Sequence, residues 1–173
     1  MEGTGPERPH LLVHCPSFHT LRPGLWLGRF FLGNMMADID ADLRLILTTV
    51  KTIAVVGWSP KADRPSNGVA RFLRTRGYRV IPVNPGQAGA ESGLGELVRT
   101  SLAEIDGQVD MVDIFRRSEE VGPVVDEAVS IGAGVVWMQL GVINELAADT
   151  ARKAGLKVVM NRCPAIEIPR LGL

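Results

Sequence analysis

Two stretches of this chain carry residues suited to holding phosphate. The first runs Gly57-Trp58-Ser59-Pro60 and continues through Arg64 to Ser66-Asn67-Gly68. A glycine at a tight turn, hydroxyls at Ser59 and Ser66 and a cation at Arg64 bind phosphate through N–H, O–H and charge. The second is Arg116-Arg117, two adjacent guanidinium forks able to hold a phosphate monoester. A structural use competes for this pair, a surface salt bridge to Glu119 or Glu120. From Lys61 to Arg79 there are six bases (Lys61, Arg64, Arg71, Arg74, Arg76, Arg79) against one acid, Asp63. Of these, Arg71, Arg74 and Arg76 fit a solvated helix face equally well.

Chemistry that needs an imidazole is excluded over most of the chain. The three histidines, His10, His14 and His19, all precede residue 20. Cys163 is the one thiol after Cys15, so a cysteine zinc site within the later region is excluded too. Tyr78 is the single tyrosine, and Pro82, not lysine, follows it four residues later, which removes one familiar oxidoreductase arrangement.

The bulk properties narrow the class further. At 173 residues, with 46% hydrophobic and 22% charged residues, the chain reads as one globular domain able to build its own core. Lys+Arg and Asp+Glu both number 19, so net charge points neither to nucleic acid nor to a polybasic membrane anchor. Two cysteines make no disulfide framework, and reduced thiols place the expected setting in the cytoplasm. No apolar run reaches the length of a spanning helix.

The elements that position these residues follow from hydrophobic period. Leu43, Ile46, Leu47 and Val50 fall on one helical face. Thr52 to Gly57 is a buried strand. Val69, Phe72 and Leu73 make the next helical face, stopped by Gly77. Tyr78 to Val83 is a strand halted by Asn84-Pro85, and a short helical piece near Leu102 precedes a third strand, Val109 to Phe115. Val121, Val124, Val125, Ala128 and Val129 line a helix capped by Ser118. Gly134 to Met138 is the fourth strand. Ile143, Leu146, Ala147, Thr150, Ala151 and Ala154 form another helix, and Leu156 to Met160 the fifth strand. This alternation predicts an α/β fold, a doubly wound five-stranded parallel sheet of Rossmann-like type between two helical layers, in the order 3-2-1-4-5.

Residues 1–34 read differently. Pro6, Pro9, Pro16 and Pro23 interrupt them, and neither helical nor strand period emerges, so they form an expected disordered extension ahead of a domain at 35–173. His10, His14, Cys15 and His19 as a metal cluster is the competing reading. Met35-Met36 marks an alternative natural start.

In a doubly wound sheet ligands bind beyond the carboxyl ends of the strands, at the reversal of strand order. That rule nominates Gly57 to Pro60, Asn84-Pro85, Arg116-Arg117 and Trp137 to Gly141. The first loop departs from the dinucleotide fingerprint G-x-G-x-x-G, because Ser59 stands where the second glycine belongs and the loop is longer. Asn84-Pro85 also replaces the acidic residue that holds the adenosine ribose of NAD. NADP survives only through nearby arginines.

The blocks VVGWSP…RPSNGVARFL, VIPVNP, VDIFRRSEEV, VVWMQLGV and VVMNRCP together resemble the small CoA-binding protein family, over residues 39–170. That family is related to the CoA-binding domain of the succinyl-CoA synthetase α-subunit. The resemblance implies coenzyme A as ligand. It implies that Gly57, Trp58, Ser59 and Pro60 form the turn against the nucleotide, that Arg64 and Ser66 contact phosphate, and that Asn84 and Pro85 border the adenosine. Ile114, Phe115, Arg116 and Arg117 would wall the adenine and bind phosphate, with Trp137, Gln139 and Gly141 toward the pantetheine. The synthetase subunit carries a second domain with a phosphorylated histidine; no histidine follows residue 20 here, which argues against autonomous ligase catalysis. Cys163 has two readings, a mixed disulfide with CoA or a buried inert thiol.

Two functions therefore stand. One is a non-catalytic module for CoA or an acyl-CoA. The other is an NADP-linked oxidoreductase, or an acyl-CoA enzyme subunit completed by another chain. A DNA-binding reading lacks a helix-turn-helix, and pairing through a sheet edge into a homo-oligomer or with a protein partner is open.

Overall fold

In the computed structural model the backbone is described from residue 27 onward and side chains from Asp38 to Leu173. The expectations for His10, His14, Cys15 and His19 lie outside the described residues. The first helix, α1 (Leu27–Thr49), already starts within the segment expected as an extension. It is followed by β1 (Thr52–Val56), α2 (Pro65–Thr75), β2 (Arg79–Val83), β3 (Met111–Ile114), α3 (Val121–Ser130), β4 (Val135–Met138), α4 (Glu145–Lys153), β5 (Lys157–Val159) and α5 (Pro164–Arg170). All strand pairs are parallel.

Strand residues alternate between two cores. Ile53, Val55, Met111, Val135 and Trp137 face α1, α2 and α5, meeting Leu43, Ile46, Leu47, Leu73 and Ile168. Ala54, Val56, Val112, Ile114, Val136 and Met138 face α3 and α4, meeting Val121, Val125, Ala128, Ala148 and Ala151. With both faces covered, nearly every residue of β1 to β4 is buried, which is why these strands read as continuous apolar runs. Among the described residues no helix is long and apolar enough to cross a membrane.

The doubly wound parallel sheet is as expected, but its order is β2-β1-β3-β4-β5. The third strand lies between β1 and β4 instead of at the edge. Two features account for this. All four residues of β3 are buried, which an edge position does not provide. The outer edge of β2 is also taken by the chain itself, through a parallel bridge between Val83 and Arg99. The reversal of strand order therefore falls between β1 and β3.

Two local expectations also change. Ser118 does not cap α3, whose N-cap position is Glu120 with no side-chain bond. Instead the Ser118 hydroxyl accepts the Ile143 N–H at 3.0 Å, and Asn144 Nδ2 donates to the Ser118 carbonyl at 2.7 Å. That pins the loop after β4 to the loop after β3. The second change is α5, which no periodicity announces because it is seven residues long and contains Pro169. Its Glu167 carboxylate, 5% exposed, takes Arg162 at 2.8 Å and Arg170 at 2.6 Å. Arg170 continues to Asp40 of α1 at 2.6 Å, so one ion-pair chain ties α5 to α1. The Arg170 guanidinium holds the Asp40 carboxyl below its ordinary range.

Candidate functional site

The turn from β1 into α2 is built by its own polar side chains. Gly57 ends the strand with φ +85°, a conformation open to glycine, and a Cβ there would collide with the Phe115 carbonyl oxygen. The Gly57 N–H donates to the Val83 carbonyl at 2.9 Å, which fixes the turn against the end of β2. Trp58 follows with its indole 1% exposed, anchored in the core beneath α2. Beyond it Ser59 is held three ways. Its N–H donates to Ser66 Oγ at 3.1 Å, its carbonyl accepts Asn67 Nδ2 at 2.9 Å, and its hydroxyl accepts the Lys61 N–H at 3.3 Å. Asn67 in turn accepts Arg71 Nε at 2.8 Å. Ser66 and Asn67 are both buried, so the loop that replaces the dinucleotide fingerprint is stiffened by hydrogen bonds where the fingerprint uses glycines.

A pocket of about 330 Å³ opens at this turn. Gly57, Trp58, Ser59, Lys61, Arg64 and Ser66 line it from the turn side, and Asn84 and Phe115 close it from β2 and β3. It sits beside the strand reversal, at the amino end of an 11-residue helix whose dipole favours an anion. Lys61 and Arg64 are exposed and make no salt bridge among the described residues, so two uncompensated positive charges face the opening.

Asn84 shows how the end of β2 is used. Its Nδ2 donates to the Trp58 carbonyl at 2.7 Å, and its Oδ1 accepts the Gly86 N–H at 3.0 Å. The side chain is consumed in joining two loops, leaving no carboxylate for a ribose diol.

The revised strand order explains where the other expected residues fall. Because β3 adjoins β1, Phe115 reaches the pocket, its N–H donating to the Val56 carbonyl at 2.8 Å. Pro60 and Pro85 are exposed and, like the fully buried Ile114, do not line the pocket. Arg116 is partly buried just past Phe115 and makes no salt bridge or side-chain hydrogen bond among the described residues. Arg117 takes the structural use, pairing with Glu120 at 2.8 Å and Glu119 at 3.5 Å.

The residues of β4 lie two strand spacings from β1, about 10 Å. Trp137 is fully buried, its Nε1 donating to the Arg162 carbonyl at 2.7 Å. Gln139 is 5% exposed and gives its amide to both oxygens of Asp113, at 2.9 and 3.0 Å. Gly141 has φ +77° in the loop beyond, where its N–H donates to Asn161 Oδ1 at 2.9 Å. These three belong to a second cluster at the carboxyl edge, apart from the pocket at the first turn. Asp113 is at its centre, paired with no cation among the described residues, and burial pushes its carboxyl up to about 7. Cys163 lies in the same cluster, 7% exposed, and burial pushes its thiol up, which keeps it protonated at neutral pH.

Sequence reasoning left Lys61 out of the site, although it stands two residues after Ser59 in the same loop. It also passed over Asp113, an acidic residue inside an otherwise apolar strand, which is a legible signal of a buried polar group.

A doubly wound parallel α/β sheet with a cationic turn at its strand reversal defines a Rossmann-like domain. Within that class, residues 51–169 match the model of the CoA binding domain family, and the chain belongs to that family. It is 41% identical over 129 residues to the uncharacterized protein YneT of Bacillus subtilis (strain 168), covering 75% of this chain and 93% of that one. Among solved structures it is similar to cell-free ID.343 from Thermus thermophilus, at 38% identity and TM-score 0.73, covering 76% of this chain and 98% of that one. A hypothetical protein from Pyrococcus horikoshii OT3 matches at 40% identity and TM-score 0.73, covering 78% and 92%.

Proposed function

We propose that this protein is a binding module for coenzyme A or an acyl-CoA, with the ligand's pyrophosphate at the turn between β1 and α2. The observation that carries the reading is the pocket at the strand reversal, where Lys61 and Arg64 stand unpaired over the amino end of α2. Gly57, Trp58 and Ser59 supply the turn, Ser66 an O–H, and Asn84 with Pro85 the border of the adenosine. Phe115 walls the base, with Arg116 beside it, while Ile114 backs this wall from the core. The commitment of Asn84 to its own loops supports CoA over NAD, whose ribose diol is ordinarily met by a carboxylate. A pocket of this size takes the phosphates and part of the sugar, so the pantetheine arm runs outward over the carboxyl edge toward Gly141.

Calorimetric titration of the full chain with CoA, NADP and NAD tests this reading. Saturable binding of CoA, weakened about tenfold or more by Arg64→Gln through loss of a charge-assisted contact, is the expected result. Binding of NADP with silence toward CoA overturns it and leaves the oxidoreductase reading in its place.

A further inference from the structure

We propose that Arg99, which lies outside the turn at Gly57, binds a phosphate monoester of the nucleotide ligand. This rests on the nucleotide reading of the pocket and adds a second anion subsite to it. The segment that carries Arg99 is pinned as a single bridge on the outer edge of β2. Its N–H donates to the Pro82 carbonyl at 2.9 Å and its carbonyl accepts the Asn84 N–H at 2.9 Å. Paired with Val83, its side chain falls on the face of Val56, Val83 and Ile114, while its neighbour Val98 goes to the opposite core.

On that face the Arg99 Nε is buried and has no hydrogen-bond partner. No salt bridge reaches its guanidinium among the described residues. Among the described residues two other arginines are partly buried: Arg162, which pairs with Glu167, and Arg116, which like Arg99 has no partner but lies past β3. The side chain as a whole is only partly buried, so the fork stays open on one side while its Nε is left as a buried donor that a bound anion would satisfy.

Its position selects the occupant. Arg99 is the backbone neighbour of Asn84, the residue that closes the pocket from β2. Gly57 lies two strand spacings away, about 10 Å. An extended guanidinium and one ribose together span that gap, so a ligand with its pyrophosphate at Gly57 brings a phosphate on the same ribose toward Arg99. A planar fork that is always charged suits a dianionic monoester. The 3′-phosphate of CoA is such a group, and dephospho-CoA lacks it. Arg117, by contrast, is already neutralised by Glu119 and Glu120.

Titration of the full chain and of Arg99→Gln with CoA and dephospho-CoA separates the possibilities. Wild type is expected to prefer CoA by ~10-fold or more, the scale of a charge-assisted contact, and Arg99→Gln to abolish that preference while binding dephospho-CoA as before. A preference that survives in Arg99→Gln overturns the proposal, as does an equal loss for both ligands. Urea unfolding of Arg99→Gln is expected to match wild type, because no salt bridge or side-chain hydrogen bond among the described residues is lost with the guanidinium; Arg99→Lys, with charge but no fork, serves if the glutamine variant does not fold, and there a partial loss confined to CoA is expected. If wild type binds neither ligand, the CoA reading itself has failed. The anion subsite is then read from the thermal shift with inorganic phosphate, which supports it if lost in Arg99→Gln and overturns it if absent from wild type or equal in both.

Discussion

Replacing Asp113 by asparagine exchanges a carboxyl for an isosteric neutral group in the middle of β3. Asp113 is fully buried, and among the described residues the one side chain that bonds it is the Gln139 amide. Burial raises its folded pKa from the ordinary 3.8 to about 7, while Gln139 pulls the other way and loses. Below pH 3.8 both folded and unfolded chains hold the proton and Asp113 has no differential effect. Between 3.8 and about 7 the folded chain keeps a proton that the unfolded chain releases, so stability falls as pH rises, by up to ~1.4 kcal/mol per pH unit. Above about 7 both are ionised and the full cost, ~4 kcal/mol, is in place. The asparagine variant carries no such dependence, and after rotation of Gln139 its amide still finds an acceptor. Urea unfolding of both proteins at pH 4, 5, 6, 7 and 8 therefore gives a difference that moves by ~4 kcal/mol in favour of Asp113→Asn as pH rises. All other titrating groups cancel in that difference. A difference that stays constant within about 1 kcal/mol across the series would overturn this account, because it would mean the carboxylate is solvated or paired in the folded protein.

Gly57→Ala is expected to lower stability by ~2–4 kcal/mol and to abolish CoA binding, since both φ +85° and the Phe115 carbonyl exclude a Cβ; thermal unfolding with titration of the surviving folded protein checks it, and wild-type affinity would sink it. Glu167→Gln removes the charge that serves Arg162 and Arg170 together, and ~3 kcal/mol of stability should go with it, with the contact between α5 and α1 lost first. An unchanged urea midpoint would show that the ion-pair chain contributes nothing.

The site was legible to the extent that it is local. Gly57, Ser59, Arg64 and Ser66 lie within ten residues of one another, and a strand ending in glycine before a helix start places them together whatever surrounds them. Arg117 likewise found Glu120 three residues away. The residues toward the proposed pantetheine path were a different matter. Trp137 and Gln139 were grouped with the ligand because the reversal was expected beside β4, and the insertion of β3 beside β1 moves Phe115 to the pocket and carries Trp137 and Gln139 one strand further off. Arg99 had no sequence signal at all, since an arginine in a loop after glycines looks like any solvated base.

Sequence alone determined the parallel α/β class, the five strands, the cationic turn at Gly57–Ser66 and the lack of any imidazole after residue 20. Each depends on residue type and short-range spacing, which the chain carries in one dimension. Tertiary contacts set which strand sits beside β1, that Asn84 is spent on Trp58, that Asp113 is desolvated and that the Arg99 Nε is buried without a partner. Those depend on pairing across 15 to 60 residues, as in the bridge from Val83 to Arg99 or the contact of β1 with β3. A polar side chain's environment is set by the neighbours that pairing delivers, and periodicity along the chain does not contain that information.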